Sequence, residues 1–125
     1  MPGKKILIID DEEEILHSLE KRLTADGYEV TTATQGREAV RMARENPPDL
    51  FLIDIVLPDI DGPEVILMLQ DDAALAKIPV VFFSGIISRE GKGYYSEIKA
   101  AGQVFPAISK PFPYGELIKL IQRYC

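Results

Sequence analysis

The chain alternates short, unbroken apolar runs with longer segments of helical periodicity, and this alternation constrains its fold more than any other feature. The first run, Lys5-Ile6-Leu7-Ile8-Ile9, is apolar after its lysine, which is typical of a strand buried on both faces of a parallel sheet. Residues 12–26 then change to a helical period, which Gly27 ends. The apolar positions that share one face of this helix are Ile15, Leu16, Leu19 and Leu23.

The same alternation continues to the end of the chain. Further strands are predicted at 28–33, 50–53, 79–83 and 104–108, each followed by a helical pattern. Thr34 is the predicted N-cap of the second helix, and a short fourth helix is predicted at about 94–101. Pro106 indicates that the fifth strand lies at a sheet edge, because proline removes a ladder hydrogen bond. Five strand–helix units predict an open, doubly wound α/β sandwich with helices on both faces.

Length and charge exclude several classes of protein. With 125 residues, the chain suits one domain, 1–125, and is about half as long as an eight-fold barrel requires. The net charge of -6 argues against binding nucleic acid or an anionic membrane through bulk charge. One cysteine, Cys125, cannot form an internal disulfide, and no apolar run approaches membrane-spanning length. We therefore expect a soluble, cytoplasmic protein.

Polar side chains stand where the predicted strands end. Asp10 and Asp11 follow the first strand, Asp54 the third and Ser84 the fourth, while the fifth leads to Lys110. Because ligands of open α/β sheets bind beyond the carboxyl ends of the strands, these residues form a candidate site. Crowded carboxylates repel each other unless a cation lies among them, and Mg²⁺ prefers oxygen ligands.

This set of side chains also suits phosphoryl chemistry. A carboxylate such as Asp54 is a competent nucleophile toward phosphorus and gives an acyl phosphate. A metal ion, the Lys110 ammonium and the Ser84 hydroxyl can then neutralise the phosphoryl oxygens. A single aspartate after a strand is more often a helix cap or turn residue, so the prediction depends on the whole set.

Four motifs, in this order, resemble those of response regulator receiver domains, which act in two-component signalling. The motifs are Lys4 to Glu12 (KKILIIDDE), Asp54 to Gly62 (DIVLPDIDG), Ser84-Gly85 and Lys110-Pro111-Phe112. The resemblance covers the whole chain. It implies a flavodoxin-like fold with a five-stranded parallel sheet in the order 2-1-3-4-5, and a cis peptide bond before Pro111.

The resemblance also implies a function and a role for each site residue. Asp54 is expected to accept a phosphoryl group from the phosphohistidine of a sensor histidine kinase or phosphotransfer protein, and Ser84 and Lys110 to bind that group. The implied Mg²⁺ ligands are Asp10, Asp11, Asp54 and the backbone carbonyl of Val56. Such a protein is a switch that changes its partner-binding surface and catalyses only its own phosphorylation and dephosphorylation. A homodimer through the fourth helix, fifth strand and last helix is compatible with it, whereas neither the cognate kinase nor the output follows from the sequence.

Two departures from the family pattern bear on function. Ala107 occupies the position, three residues before the lysine, where most receivers carry the aromatic ring that reports phosphorylation; Phe105 lies two residues earlier. Val56 and Ile86 are apolar where a water would approach the acyl phosphate, which predicts slow self-dephosphorylation.

Two other functions stay open. One is a receiver-like interaction module that phosphate does not regulate, and the other an aspartyl-phosphate phosphatase, which would need a second acid at Val56.

Overall fold

The structure, a computed structural model, describes residues 3–85 and 95–125 and contains one six-stranded sheet in the order β2-β1-β3-β4-β6-β5. The strands are β1 (Lys5–Ile9), β2 (Glu29–Ala33), β3 (Leu50–Asp54), β4 (Val80–Ser84), β5 (Tyr95–Ala100) and β6 (Gln103–Ser109). The helices are α1 (Glu13–Ala25), α2 (Gly36–Glu45), α3 (Gly62–Gln70), α4 (Ala73–Ala76) and α5 (Tyr114–Tyr124). No helix in these two ranges is long and apolar enough to cross a bilayer.

The predicted doubly wound architecture is confirmed. Strands β2, β1, β3, β4 and β6 are parallel to one another, which requires crossover connections between them. One apolar cluster joins the sheet to α2, α3 and α4, and a second joins its other face to α1 and α5. Every residue of β3 and β4 is buried, because both faces of these central strands are covered.

The helix predicted at about 94–101 is wrong, since the described residues of that segment form strand β5. This strand runs antiparallel to β6, and the two are joined by Ala101 and Gly102, whose φ angles are 51° and 78°. Two consecutive residues with positive φ are characteristic of the type I′ hairpin turn, whose twist matches that of paired strands. The turn therefore commits both flanking segments to a hairpin and gives the sheet one strand more than predicted. The preceding residues 86–93 and Tyr94 lie outside the described part of the chain.

The edge position predicted for Pro106 is also wrong, because β5 covers the outer side of β6. In a hairpin with a two-residue turn, the residues that flank the turn, here Ala100 and Gln103, form a hydrogen-bonded pair. Such pairs alternate with non-hydrogen-bonded ones along an antiparallel ladder. By this alternation Pro106 and Glu97, three positions further on, form a non-hydrogen-bonded pair. Pairing with β4 begins only at Ala107. The missing N–H of Pro106 therefore costs the hairpin no hydrogen bond.

The start of α2 differs from the predicted Thr34 cap. Gln35 is the N-cap residue, and its side chain makes no capping hydrogen bond. Instead, the N–H groups of Gly36 and Arg37 donate to the two carboxylate oxygens of Asp59, at 2.8 and 2.9 Å. A residue far along the chain thus satisfies donors that a local cap usually serves. The predicted end of α1 is in place, since Gly27 follows that helix with a φ of 97°.

Candidate functional site

Four of the predicted site residues meet at one rim of the sheet. Asp10 directly follows β1, Asp54 and Ser84 are the last residues of β3 and β4, and Lys110 directly follows β6. The parallel register carries these strand ends to a common edge, where the Lys110 N–H donates to the carbonyl of Ser84 at 3.1 Å. The peptide bond from Lys110 to Pro111 is cis, as the family resemblance implied.

Lys110 links the carboxylates of this rim. Its ammonium Nζ lies 2.6 Å from Asp10 Oδ2, 2.9 Å from Asp54 Oδ2 and 3.3 Å from Glu12 Oε1. The side chains of Asp10 and Asp54 are 0 % and 7 % exposed, whereas that of Glu12 is 60 % exposed. The ammonium also lies 4.7 Å from the centre of the Phe83 ring, at cation–π distance. One cation therefore bridges a pair of buried acids that would otherwise repel each other, and it offsets one of their two negative charges.

The carboxylates are anchored by backbone donors as well. The Glu12 N–H donates to Asp10 Oδ1 at 2.9 Å, and the Val56 N–H donates to Asp54 Oδ1 at 3.2 Å. Each buried aspartate thus accepts a hydrogen bond from a loop amide with one carboxylate oxygen and from Lys110 with the other. The side chains are held in place before any ligand arrives.

Burial and charge oppose each other at this rim. Burial raises the pKa of Asp10 to about 6, despite its hydrogen bonds to Lys110 and to the Glu12 amide, and the Asp54 charge adds to the rise. Burial alone would lower the pKa of Lys110, but its hydrogen bonds to Asp10 and Asp54 outweigh that effect and raise it. The lysine therefore stays an ammonium, while Asp10 carries a negative charge at a cost that a further cation would relieve.

The acids that lie close together at the rim are not the same set as the predicted metal ligands. Oxygen atoms of Asp10, Glu12 and Asp54 all lie within 4.8 Å of one another. Asp11 is exposed and outside this group, and Val56 follows β3 with its side chain 53 % exposed. Glu12 was not predicted, because it lies beyond the strand end and reaches the rim through its longer side chain.

Gly62, at the start of α3, allows close packing behind Asp54. Its N–H donates to the carbonyl of Ile55 at 2.7 Å. A Cβ atom at this position would lie 2.8 Å from the Phe82 ring and 3.0 Å from the Asp54 carbonyl. Only glycine therefore lets the helix approach the strand so closely. Gly62, the last residue of the DIVLPDIDG motif, is therefore required for packing as well as for the turn before α3.

Two serines are buried next to Lys110. Ser84 and Ser109 are register partners in β4 and β6, with exposed fractions of 2 % and 1 %. Within the described residues, the Ser109 hydroxyl oxygen is buried without a hydrogen-bond partner. Sequence reasoning missed Ser109, although a polar residue that ends an apolar strand was the signal that singled out Ser84.

The position three residues before Lys110, where most receivers carry an aromatic ring, holds a buried alanine, as the sequence indicated. Ala107 is 1 % exposed and is the register partner of Phe82. Phe105 packs edge-on against the same Phe82 ring, with ring centres 5.7 Å apart and planes at 89°. A partly buried aromatic ring therefore lies on this side of the sheet, two residues before the position that receivers usually use.

Comparison with known proteins assigns the chain to a family. The sequence model of the response regulator receiver domain matches residues 6–122. This chain belongs to that family. Receiver domains are signalling domains of two-component systems, generally without enzymatic activity toward other molecules, and they interact with histidine kinases or phosphotransfer proteins.

Named relatives and solved structures agree with this assignment. The receiver is 36 % identical to the polar-differentiation response regulator DivK of Brucella ovis, over 97 % of this chain and 95 % of that protein. It is 41 % identical to the response regulator PleD of Caulobacter vibrioides over 68 % of this chain, a match that spans only 19 % of PleD. The chemotaxis protein CheY4 of Vibrio cholerae superimposes with a TM-score of 0.83 at 28 % identity, covering 98 % and 99 % of the two chains.

Proposed function

We propose that this receiver domain, residues 1–125, is a phosphorylation-dependent switch in which Asp54 accepts a phosphoryl group from the phosphohistidine of a sensor histidine kinase or phosphotransfer protein. The observation that carries the proposal is the position of the Lys110 ammonium, 2.6 Å from Asp10 and 2.9 Å from Asp54 at the ends of three strands. A structural ion pair needs one acid, whereas a phosphoryl site needs a nucleophile and compensating cations together.

The transfer step uses atoms that the rim already holds in position. One carboxylate oxygen of Asp54 forms a bond to phosphorus while the bond from phosphorus to the histidine nitrogen breaks, and the imidazole leaves with that electron pair. Lys110, kept charged by its acidic neighbours, stabilises the negative phosphoryl oxygens, and the Ser84 hydroxyl donates from the neighbouring strand end. The Val56 amide at Asp54 Oδ1 orients the carboxylate for the attack.

The acids at the rim fit a hard divalent cation. Three carboxylates converge within 4.8 Å, and burial disfavours the charge on Asp10. We propose Mg²⁺ with Asp10, Asp11, Asp54 and the Val56 carbonyl as the protein ligands, and Glu12 as a further acid at the same rim. When bound, Mg²⁺ would supply positive charge to the phosphoryl oxygens in addition to that of Lys110.

A small-molecule phosphoryl donor tests the acceptor. Wild-type protein, Asp54→Asn and Asp71→Asn are incubated with acetyl phosphate and Mg²⁺ and compared by intact mass. Asp71 is a matched control, because it is an exposed aspartate at the end of α3. We expect one phosphoryl group on wild type and on the Asp71 variant, and none on Asp54→Asn.

Two results would contradict the proposal. Similar labelling of Asp54→Asn would move the acceptor to another residue. A wild type that binds Mg²⁺ but takes no label, either from acetyl phosphate or from a phosphohistidine protein, would favour the interaction module that phosphate does not regulate.

A further inference from the structure

The outer edge of β5 is a strand edge that no described residue pairs with. Strand β5 is the last in the sheet order, and in the described ranges its ladder partner is β6 alone. The side chains of Tyr95, Glu97 and Lys99 are exposed, while Ser96 and Ile98 are partly buried. Exposed edges of this length invite pairing with another strand, and proteins commonly protect them.

The hairpin turn determines which backbone groups face outward. Because Ala100 and Gln103 flank a two-residue turn, their pair is hydrogen-bonded, and so is the Ile98–Phe105 pair two positions away. The alternate residues Tyr95, Glu97 and Lys99 therefore direct their N–H and C=O groups away from β6. These groups form one regular row of donors and acceptors along the edge.

The charges on this edge are self-complementary. If a second β5 lies antiparallel, with Ile98 opposite its own copy, Glu97 of each chain faces Lys99 of the other. The backbone groups of both residues point outward, so each Glu97–Lys99 pair can exchange two backbone hydrogen bonds. Opposite charges at such cross-strand positions stabilise pairing, and like charges there destabilise it. Charges of one sign would protect the edge, whereas this alternation favours a second copy.

We propose that two copies of this chain associate through antiparallel pairing of their β5 edges, centred on Ile98. The two sheets become continuous across a twofold axis, and two Glu97–Lys99 ion pairs lie on the side of the sheet that carries α5. That side is fixed by Tyr95, which has the same strand parity and whose hydroxyl donates to the Glu116 carbonyl of α5 at 3.1 Å. The pairing does not depend on phosphoryl transfer, so it stands or fails separately from the proposed function.

Charge exchange gives the most direct test. Sedimentation velocity over a wide concentration range is expected to show a reversible dimer of wild type. Glu97→Lys and Lys99→Glu should each weaken it by at least about ten-fold, since both place like charges opposite each other twice. An equimolar mixture of these two variants should restore association, because every opposed pair is then of opposite sign. Lys21→Glu, an exposed reversal on α1, is the matched control and should leave the dimer unchanged.

A cysteine pair tests the register. In a Cys125→Ser background, Ile98→Cys should form a covalent dimer on mild oxidation. Its Cα is expected about 4.5 Å from its copy, a distance that a disulfide spans. Ser96→Cys should not cross-link, because its partner would be Ala100 of the second chain. A circular dichroism spectrum of each variant establishes that it is folded.

Three results would overturn the proposal. The first is a folded wild type that stays monomeric at every concentration, together with a folded Ile98→Cys variant that forms no covalent dimer. The second is a dimer that neither charge reversal weakens, which would use another face. The third is a monomer whose β5 edge binds a strand of a different protein, since the occupant would then not be a second copy.

Discussion

Among the described residues, we expect Val56 to control access to the proposed acyl phosphate most directly. It lies two positions beyond Asp54, its amide bonds the Asp54 carboxylate, and its side chain is 53 % exposed at the rim. An apolar side chain there offers no hydrogen bond that could hold an attacking water in line. Its proposed companion, Ile86, lies outside the described residues.

Replacing Val56 with asparagine is expected to shorten the lifetime of the phosphorylated protein. One hydrogen bond that orients water contributes roughly 1–2 kcal/mol, which corresponds to about a five- to thirty-fold faster decay. The decay is followed by intact mass after the phosphoryl donor is removed. Val56→Leu, which stays apolar, should decay at the wild-type rate, and equal rates for all three proteins would show that this side chain does not set the lifetime.

Residues at strand ends could be predicted, whereas residues that reach the rim from elsewhere could not. Asp10 and Asp54 follow from the rule that parallel strands present their carboxyl ends at one edge. Glu12 and Asp59 act across turns, so their partners depend on where loops lie in space. No local pattern around Asp59 reveals that its carboxylate meets the first amides of α2, which are more than twenty residues away.

At the scale of elements, Asp59 connects the loop that follows Asp54 to the start of α2. Its two oxygens accept from Gly36 and Arg37, donors that the helix itself cannot satisfy. We expect Asp59→Ala to lower the free energy of unfolding by about 0.5–1 kcal/mol, the low end for a lost cap, because the site is exposed. Urea denaturation measures the change, and Asp59→Asn, which keeps one acceptor, should lose less.

The contribution of Asp59 should depend on pH. The slight burial of Asp59 alone would raise its pKa, but the hydrogen bonds from the Arg37 and Gly36 amides outweigh this and hold the pKa of Asp59 below its ordinary value. A carboxyl with a lowered pKa stabilises the fold above its unfolded pKa and loses that contribution as pH falls through the folded one. The difference between wild type and Asp59→Asn should therefore shrink in acid. A difference that stays constant to low pH would show that charge is not its source.

The segment at 94–101 shows where element prediction fails. Tyr95 to Ala100 contains residues that helices tolerate, and the strand–helix alternation of the preceding chain favoured another helix. The deciding feature is Ala101-Gly102, because a two-residue turn with positive φ specifies a hairpin whatever the propensity of its flanks. Alanine is rarely found at such a φ, so this turn lacked the usual Asn-Gly signal.

At the scale of the whole molecule, the rim joins the central strands of the fold, and a ligand there should stabilise all of it. A cation that binds only the folded state raises the free energy of unfolding, by about 1.4 kcal/mol at ten times its Kd. We expect Mg²⁺ to raise the thermal midpoint of wild type. Asp11→Ala should abolish most of that rise, because Asp11 is a proposed Mg²⁺ ligand and its carboxylate, unlike that of Glu12, is not bound to Lys110.

The neighbouring acid Glu12 provides the control. Glu12→Ala should keep more of the Mg²⁺ effect, since its carboxylate is already bound to Lys110. The reverse order would identify Glu12 as the ligand and remove Asp11 from the site. Equal Mg²⁺ shifts in wild type and both variants would leave neither acid as a ligand.

The parallel part of the topology followed from the sequence because apolar runs and crossover helices are local and repeated. The order of β2, β1, β3 and β4 is that of the flavodoxin-like expectation, with β6 in the place of the fifth strand. The additional strand, β5, depends on a single turn and not on a repeated pattern. The periodicity of the chain therefore gave no indication of it.

The hairpin turn has a consequence for which changes in chain length this fold could survive. Strand β6 runs without a break from Gln103 to Ser109 and ends at Lys110 on the rim. The position of the turn therefore fixes the register of every residue of β6. Side chains alternate between faces at every step, and one inserted or deleted residue in β6 would reverse its inward and outward sets. Such a change would have to be absorbed by a bulge or would carry the lysine away from Asp54. Length variation among close homologues of this chain should therefore avoid the interval from Gly102 to Lys110.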